Sequence, residues 1–301
     1  MALSPYRVVL AALESLAPLS LAGAWDNVGA LVSHVAPPSP GSRYNIYLTN
    51  DVTPHVLDDA LTAFDGGAAS LIITYHPTPF SGLKRFTMES PASRLVLTAA
   101  RHNIAVFSPH TSWDAAPGML NDWLLEGIAA ASGCGGLSSL APVKRAAGAA
   151  GEGGAGDGRV GALAAPASLA ALVAGVKAHL GLPAVALSLP APHGAVAAGG
   201  ATAVAAAAAA IQVRDVAVCA GSGAGVLGGF SGAQLWVTGE LSHHDLLAAS
   251  AAGVAVVLTH HSNSERGFLR VAAEKLRGKL AGQGDFDIRV SRVDADPLTL
   301  M

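Results

Sequence analysis

The sequence predicts an α/β protein of two lobes, each built on a mainly parallel sheet flanked by helices. Three observations lead there. Short apolar runs rich in Val and Ile, bounded by Pro, Gly and Ser, recur at 44–50, 71–76, 104–110, 216–220, 235–238 and 254–259, the signature of buried strands. Helical patterns separate them, and strands alternating with helices favour parallel βαβ units. Between 129 and 158 the composition shifts to Gly, Ala and Ser, which reads as a flexible connection between an N-terminal lobe (1–128) and a C-terminal lobe (159–301).

The elements follow in order. Val8, Val9, Ala12, Leu13 and Leu16 recur at helical spacing, predicting an amphipathic core helix at 5–17. After the strand at 44–50, Thr53 can cap a helix whose first position suits Pro54. The strand ending at His76, a helix at 91–102, the strand ending at His110 and a helix at 117–129 complete the first lobe. In the second, a helix at 168–180 precedes a strand at 185–189 and an Ala-rich tract at 194–210 that Gly199-Gly200 interrupts. Strands at 216–220, 235–238 and 254–259 then alternate with helices at 242–252 and 264–276, and a last strand is expected at 286–293.

Composition narrows the function classes. With 51% hydrophobic and 13% charged residues in 301, the chain is globular and not disordered. Much of the apolar share is alanine, so a mean hydropathy of +0.44 does not imply a membrane span; the longest candidate, 194–211, is mostly Ala and Gly, which insert poorly. A formal charge of -3 argues against a wholesale nucleic-acid binder, leaving Lys84-Arg85 as a local basic patch. Two cysteines build no disulfide framework, and Cys219, inside an apolar run, reads as a buried thiol. The N-terminus has no basic region ahead of its apolar stretch, so the expectation is a cytoplasmic protein, with the nucleus as a second compartment.

The chemistry-bearing residues gather where strands end. Apolar runs lead into His76, His110 and His260-His261, and Leu235-Trp236-Val237-Thr238-Gly239-Glu240 leads into His243-His244. In open α/β sheets such ends line the ligand crevice. Asp114 lies four residues after His110 and Glu265 four after His261, and imidazole with carboxylate is what a divalent metal needs. Each carboxylate has a second reading: Asp114 as a cap for the next helix, Glu265 as partner of Ser262 in an S-x-x-E capping box. Ser242 and Asp245 match the same box. His34, His55, His102, His179 and His193 lack strand-end context and read as surface or structural. Gly223-Ala224-Gly225-Val226-Leu227-Gly228 matches G-x-G-x-x-G but lacks the following helix of a dinucleotide fold; an anion-binding turn is the reading left to it.

In series, Trp25-Asp26-Asn27-Val28-Gly29, Tyr75-His76-Pro77, Ser108-Pro109-His110-Thr111 with Asp114-Ala115-Ala116-Pro117-Gly118, Asn121-Asp122-Trp123, Gly221-Ser222-Gly223, Thr238-Gly239-Glu240-Leu241-Ser242-His243-His244-Asp245 and His261-Ser262-Asn263-Ser264-Glu265-Arg266-Gly267 resemble the Nif-three-like family, also labelled GTP cyclohydrolase 1 type 2, and its eukaryotic branch most. The resemblance implies a dinuclear metal site between the two lobes and ring-like homo-oligomers. It implies His76, Asp114, His261 and Glu265 as metal ligands, with one or two divalent ions (Zn, Fe or Mn). His110, His243 and His244 match positions close by and become candidates for proton transfer in catalysis. Where the bacterial pattern has His-His-Pro, this chain has Tyr75-His76-Pro77, so one imidazole is missing and the second ion would bind loosely or not at all. The implied function is a metal-dependent hydrolase acting on a nucleotide, phosphoester or related heterocycle. The alternative is a non-catalytic metal-binding protein that binds a transcription-regulating partner.

Overall fold

A computed structural model describes residues 3–65, 67–146, 154–191 and 200–299. Glu152, His193 and the 194–199 part of the Ala-rich tract lie outside the described residues. The chain forms two compact units, one of residues 1–113 with 268–295 and the other of 114–267 with 296–301.

The first unit opens with α1 (Pro5–Leu16), which buries Val9, Ala12 and Leu13 on its apolar stripe. β1 (Gly29–Val32), β2 (Tyr44–Thr49), α2 (Pro54–Ala60), β3 (Leu71–Thr74), α3 (Pro91–Arg101) and β4 (Ala105–Ser108) follow. Thr53 caps α2 as expected: its side chain accepts from the Val56 N–H at 3.2 Å. A short helix, α4 (Thr111–Ala115), leads into the second unit, which holds α5 (Leu120–Ala131), β5 (Lys144–Arg145), β6 (Gly156–Asp157), β7 (Arg159–Ser168), α6 (Leu169–Leu180), β8 (Ala186–Ser188), α7 (Gly200–Ala210), β9 (Gln212–Ser222), α8 (Ala224–Leu227), β10 (Leu235–Glu240), α9 (His243–Ala251) and β11 (Ala255–Leu258). The chain then returns to the first unit through α10 (Phe268–Leu280) and β12 (Phe286–Val290).

The first sheet runs β1-β4-β3-β2-β12, with β4, β3, β2 and β12 parallel and β1 antiparallel at its edge. The second runs β7-β9-β10-β11-β8, with a parallel centre and antiparallel edges. Central strands are buried on both faces (β3 and β4 throughout), which is why they read as continuous apolar runs and not as alternation. Each parallel centre therefore sends several carboxyl ends in one direction within its unit, and those ends carry the candidate residues.

Four departures from the sequence reading have physical causes. The last strand does not extend the second sheet: β12 pairs in parallel with β2, Ile288 opposite Ile46, so 268–295 packs with the N-terminal part of the chain. Much of the 129–158 stretch is not a free connection: α5 runs to Ala131, Cys134 is buried, and the Ser138, Ala141 and Ala164 amides bond to Ala162, Val160 and Gly136 carbonyls, which ties this segment along β7. β7 itself escapes the sequence pattern because Arg159-Val160-Gly161-Ala162-Leu163-Ala164-Ala165-Pro166 has few β-branched residues and contains a proline. Its register slips between Ala162 and Ala167, as an edge strand with a bulge allows. The Gly223–Gly228 turn is closed by its own backbone: the Val226, Leu227 and Gly228 amides bond to Gly223 and Ala224 carbonyls and are spent before any anion could use them. Among the described residues no helix is long and apolar enough to cross a membrane.

Candidate functional site

In the first unit the chemistry sits at the ends of β2, β3 and β4. His76, two residues beyond β3, brings Nδ1 to 2.9 Å from Asp51 Oδ1, and Asp51 lies at the end of β2. His110, two beyond β4, brings Nδ1 to 2.7 Å from Asp26 Oδ1. Thr111 donates to the other Asp26 oxygen through both its hydroxyl, at 2.5 Å, and its backbone N–H, at 3.2 Å. Burial pushes the Asp26 carboxyl up, but the hydrogen bonds from His110 and Thr111 outweigh it and hold the group below the usual carboxylate range. His110 has φ 33°, a left-handed backbone uncommon for a side-chain-bearing residue. The His76 and His110 rings lie 5.4 Å apart. Buried Tyr75 is edge-on to both, at 5.0 and 5.4 Å.

In the second unit the end of β9 meets the turn after β11. His261 stands between two carboxylates: Nδ1 is 3.0 Å from Glu240 Oε1 at the end of β10, and Nε2 is 3.4 Å from Glu265 Oε1. Glu265 is 2% exposed. It does not form the capping box. Ser262 Oγ instead donates to Asp296 at 2.6 Å and accepts from Arg266 at 2.8 Å, while 262–264 forms a single 3₁₀ turn and α10 starts only at Phe268. Gly221, with φ 65°, lies against this pair: a Cβ there would come 2.6 Å from Glu265 Oε1 and 3.0 Å from His261 Nε2. Only glycine both adopts that backbone and leaves that space.

Asp114 is brought to the same end of the second sheet through Asn121. The Asn121 amide donates to the Asp114 carbonyl at 3.1 Å, and its oxygen accepts from the Ala220 N–H at 2.9 Å, one residue before Gly221. Buried Arg159 braces the helix turn from beneath, donating to the Asp122 carboxylate and to the carbonyls of Ala115 and Ala116. Burial raises the Cys219 thiol well above its ordinary value, and the charges of Asp114, Asp157 and Glu265 add to that rise. The thiol is inert and structural, as its sequence context predicts.

His243 and His244 are placed differently. Both are exposed at the start of α9, their rings 5.5 Å apart and edge-on to each other. The capping box around them does form, with Ser242 and Asp245 bonding reciprocally at 3.2 and 3.1 Å. His34 and His179 are structural: His34 bonds the Asn103 carbonyl and Tyr44 hydroxyl, and His179 packs 4.4 Å from the Trp123 ring. His55 and His102 are exposed.

Sequence reasoning passed over Asp26, Asp51 and Glu240 as partners. The signal for two of them was present, since Asp51 and Glu240 end strands as the histidines do. Asp26 sits in a loop 84 residues before His110, and no local pattern connects them.

Comparison with known proteins agrees with the motif resemblance. The sequence profile of the Duf34/NIF3 family (NGG1p interacting factor 3) matches residues 5–297. The chain is 38% identical to the Protein NIF3 homolog of Schizosaccharomyces pombe, over 96% of this chain and 95% of that one. It is 35% identical to NIF3-like protein 1 of Drosophila melanogaster, over 96% and 87%. The crystal structure of a Bacillus cereus protein related to NIF3 shares the fold, with a TM-score of 0.78 at 19% identity over 98% of each chain. The chain belongs to the Duf34/NIF3 family.

Proposed function

We propose that this protein is a metal-dependent hydrolase acting on a nucleotide, phosphoester or related heterocycle, with one divalent ion held firmly by His76, Asp114, His261 and Glu265. One observation carries the reading. His76, His110 and His261 each have Nδ1 beside a carboxylate, of Asp51, Asp26 and Glu240 respectively, the outer partner that a metal-ligating imidazole ordinarily has. A ring oriented through Nδ1 in this way ligates through Nε2. The donor set of imidazole and carboxylate suits Zn, Fe or Mn. The room kept open at Gly221 beside His261 Nε2 and Glu265 Oε1 fits the same purpose.

A divalent ion supplies Lewis-acid polarisation of the scissile centre and acidifies water. The chain's own residues do the rest. Asp51 and Glu240 orient His76 and His261. Asp26 and Thr111 fix the His110 ring, so that its Nε2 can accept or return a proton at a set position. His243 and His244, at the exposed start of α9, are the further proton carriers in this proposal. Tyr75 fills the place of an imidazole, and a second ion is accordingly held loosely or not at all.

The test is elemental analysis of the purified protein beside Glu265→Ala and Asp114→Ala, with a turnover screen of nucleotides and phosphoesters. The reading expects near-stoichiometric metal, its loss in both variants, and metal-dependent turnover. Full metal content in both variants refutes the ligand assignment. Bound metal that raises the melting temperature without any turnover favours the second reading, a metal-stabilised partner-binding protein, which the family's description as an interacting factor supports.

A further inference from the structure

Trp25 and Phe80 are 68% and 49% exposed, yet both are held in place. The Trp25 indole lies on Gly23 so closely that a Cβ there would come 2.8 Å from its Nε1. The next residue, Asp26, is fastened by His110 and Thr111. Asn27 donates from its side chain to the Pro79 carbonyl at 2.8 Å, tying the residue before Phe80 to the Trp25 segment. The two rings have centroids 6.2 Å apart and planes inclined by 43°. Rings set that far from parallel do not stack on each other, and a flat ligand can lie parallel to only one of them. His110 stands edge-on to both, at 6.1 Å from Trp25 and 6.4 Å from Phe80.

Both rings are exposed large hydrophobics, and keeping large apolar surfaces in water forgoes the free energy of burying them. Fixed, exposed aromatic faces beside a ring-nitrogen cluster suit a flat, sequence-tolerant stacking contact, since every base has a π face. With Nδ1 of His110 taken by Asp26, its Nε2 is the ring nitrogen left to meet a heteroatom on the ligand's edge.

We propose that Trp25 and Phe80 form a shelf for the planar aromatic heterocycle of the substrate, a nucleobase or a ring of that size, stacked on Trp25 with Phe80 inclined against it and its edge at His110. Within the hydrolase reading, on which the word substrate rests, this selects nucleotides and heterocycles over aliphatic phosphoesters. Binding to the shelf needs no metal, so the two ideas fail separately.

The experiment is calorimetry and saturation-transfer NMR on the whole protein, before and after metal removal by chelation. The probes are adenosine and uridine, with ribose 5-phosphate as the probe that lacks a base. The expected result is nucleoside binding in both states, with stronger saturation of base protons than of ribose protons. Trp25→Ala should weaken nucleoside binding about tenfold, the loss of one ordinary stack, Phe80→Ala about threefold, the loss of an inclined aromatic contact, and Trp25→Phe should retain most of it. Ribose 5-phosphate should bind at least about tenfold more weakly than the nucleosides and be indifferent to all three substitutions. Ribose 5-phosphate binding as tightly as a nucleoside, or Trp25→Ala and Phe80→Ala both leaving nucleoside affinity within about twofold, overturns the shelf. So does a Trp25→Ala protein that changes oligomeric state while the unsubstituted protein binds no nucleoside, which would make the patch a subunit contact. Should Trp25→Ala fail to fold, the NMR map on the unsubstituted protein and Phe80→Ala decide. Nucleoside binding that follows the shelf without any hydrolysis leaves the shelf standing and counts against the hydrolase.

Discussion

Two turns of the second unit carry the same four-residue signature and do opposite things with it. Ser242-His243-His244-Asp245 closes into a reciprocal capping box at an exposed helix start. Ser262-Asn263-Ser264-Glu265 does not: Ser262 bonds Asp296 and Arg266, and Glu265 turns inward until it is 2% exposed beside His261. A cap satisfies helix-end amides at about 1 kcal/mol, and it prevails at α9, where the acidic side chain stays near the surface. At Glu265 the competing partners are imidazole, a neighbouring glycine surface and a buried setting, in which a carboxylate persists only with cations or hydrogen-bond donors around it. The local signature marks where a polar helix start will be. Tertiary surroundings decide which group the acid serves.

The largest expected effect breaks this contrast directly. Glu265→Gln should lower metal affinity by more than about a hundredfold, exceeding the ~10–100-fold loss typical of an outer partner, while Asp245→Asn leaves it unchanged; equilibrium dialysis with elemental analysis reads both. Equal metal content in the two variants would reduce Glu265 to a structural acid. Next in size, Glu240→Gln should weaken metal binding by about 10–100-fold without unfolding, because it frees the His261 ring and leaves both proposed ligands in place. Retention of full affinity would show that the Glu240 contact does not orient a ligand.

Tyr75→His restores an imidazole beside His76 and His110, whose rings stand 5.0 and 5.4 Å from the tyrosine. Bound metal should rise from about one ion toward two, the number a paired site takes; two tightly bound ions in the unsubstituted protein would contradict this. Ser242→Ala should lower stability by about 1 kcal/mol in denaturant melts with metal content intact. A comparable loss from Ser262→Ala should reflect Asp296 and Arg266, and survive when Glu265 is already neutral.

The smallest effect concerns histidines with no carboxylate at hand. Burial lowers the His34 and His179 pKa values below 6.5, against weaker raising contacts from the Asn103 and Trp123 backbones. The folded state then disfavours the charged ring, so the unfolded chain binds the proton first. Stability from these sites is intact above about pH 6.5 and declines as pH falls from there toward the folded-state values. Melting temperatures between pH 7.5 and 5 should fall less for His179→Gln than for the unsubstituted protein. An identical fall would remove His179 as a contributor.

Much of this was legible along the chain because its causes are local. Val and Ile runs such as Leu71-Ile72-Ile73-Thr74, bounded by turn residues, read as doubly buried strands, and their ends announce His76, His110 and His261. Thr53 and Ser242 cap their helices through atoms three residues away. β7 and β1 were not legible: Ala, Gly and Pro dilute the β-branched signal, and such strands exist by pairing with a neighbour already in place.

What only the tertiary structure decided are the pairings between residues remote in sequence. Asp26 reaches His110 across 84 positions and Arg159 reaches Asp122 across 37, while β12 finds β2 from the far end of the chain. Hydrogen bonding and charge attraction act over a few ångströms and are indifferent to sequence distance, so nothing in the pattern around Asp26 distinguishes it from any loop aspartate. The sequence by itself determined which histidines stand at strand ends, since backbone periodicity sets that. Which carboxylate stands beside each of those rings was decided when the strands came side by side.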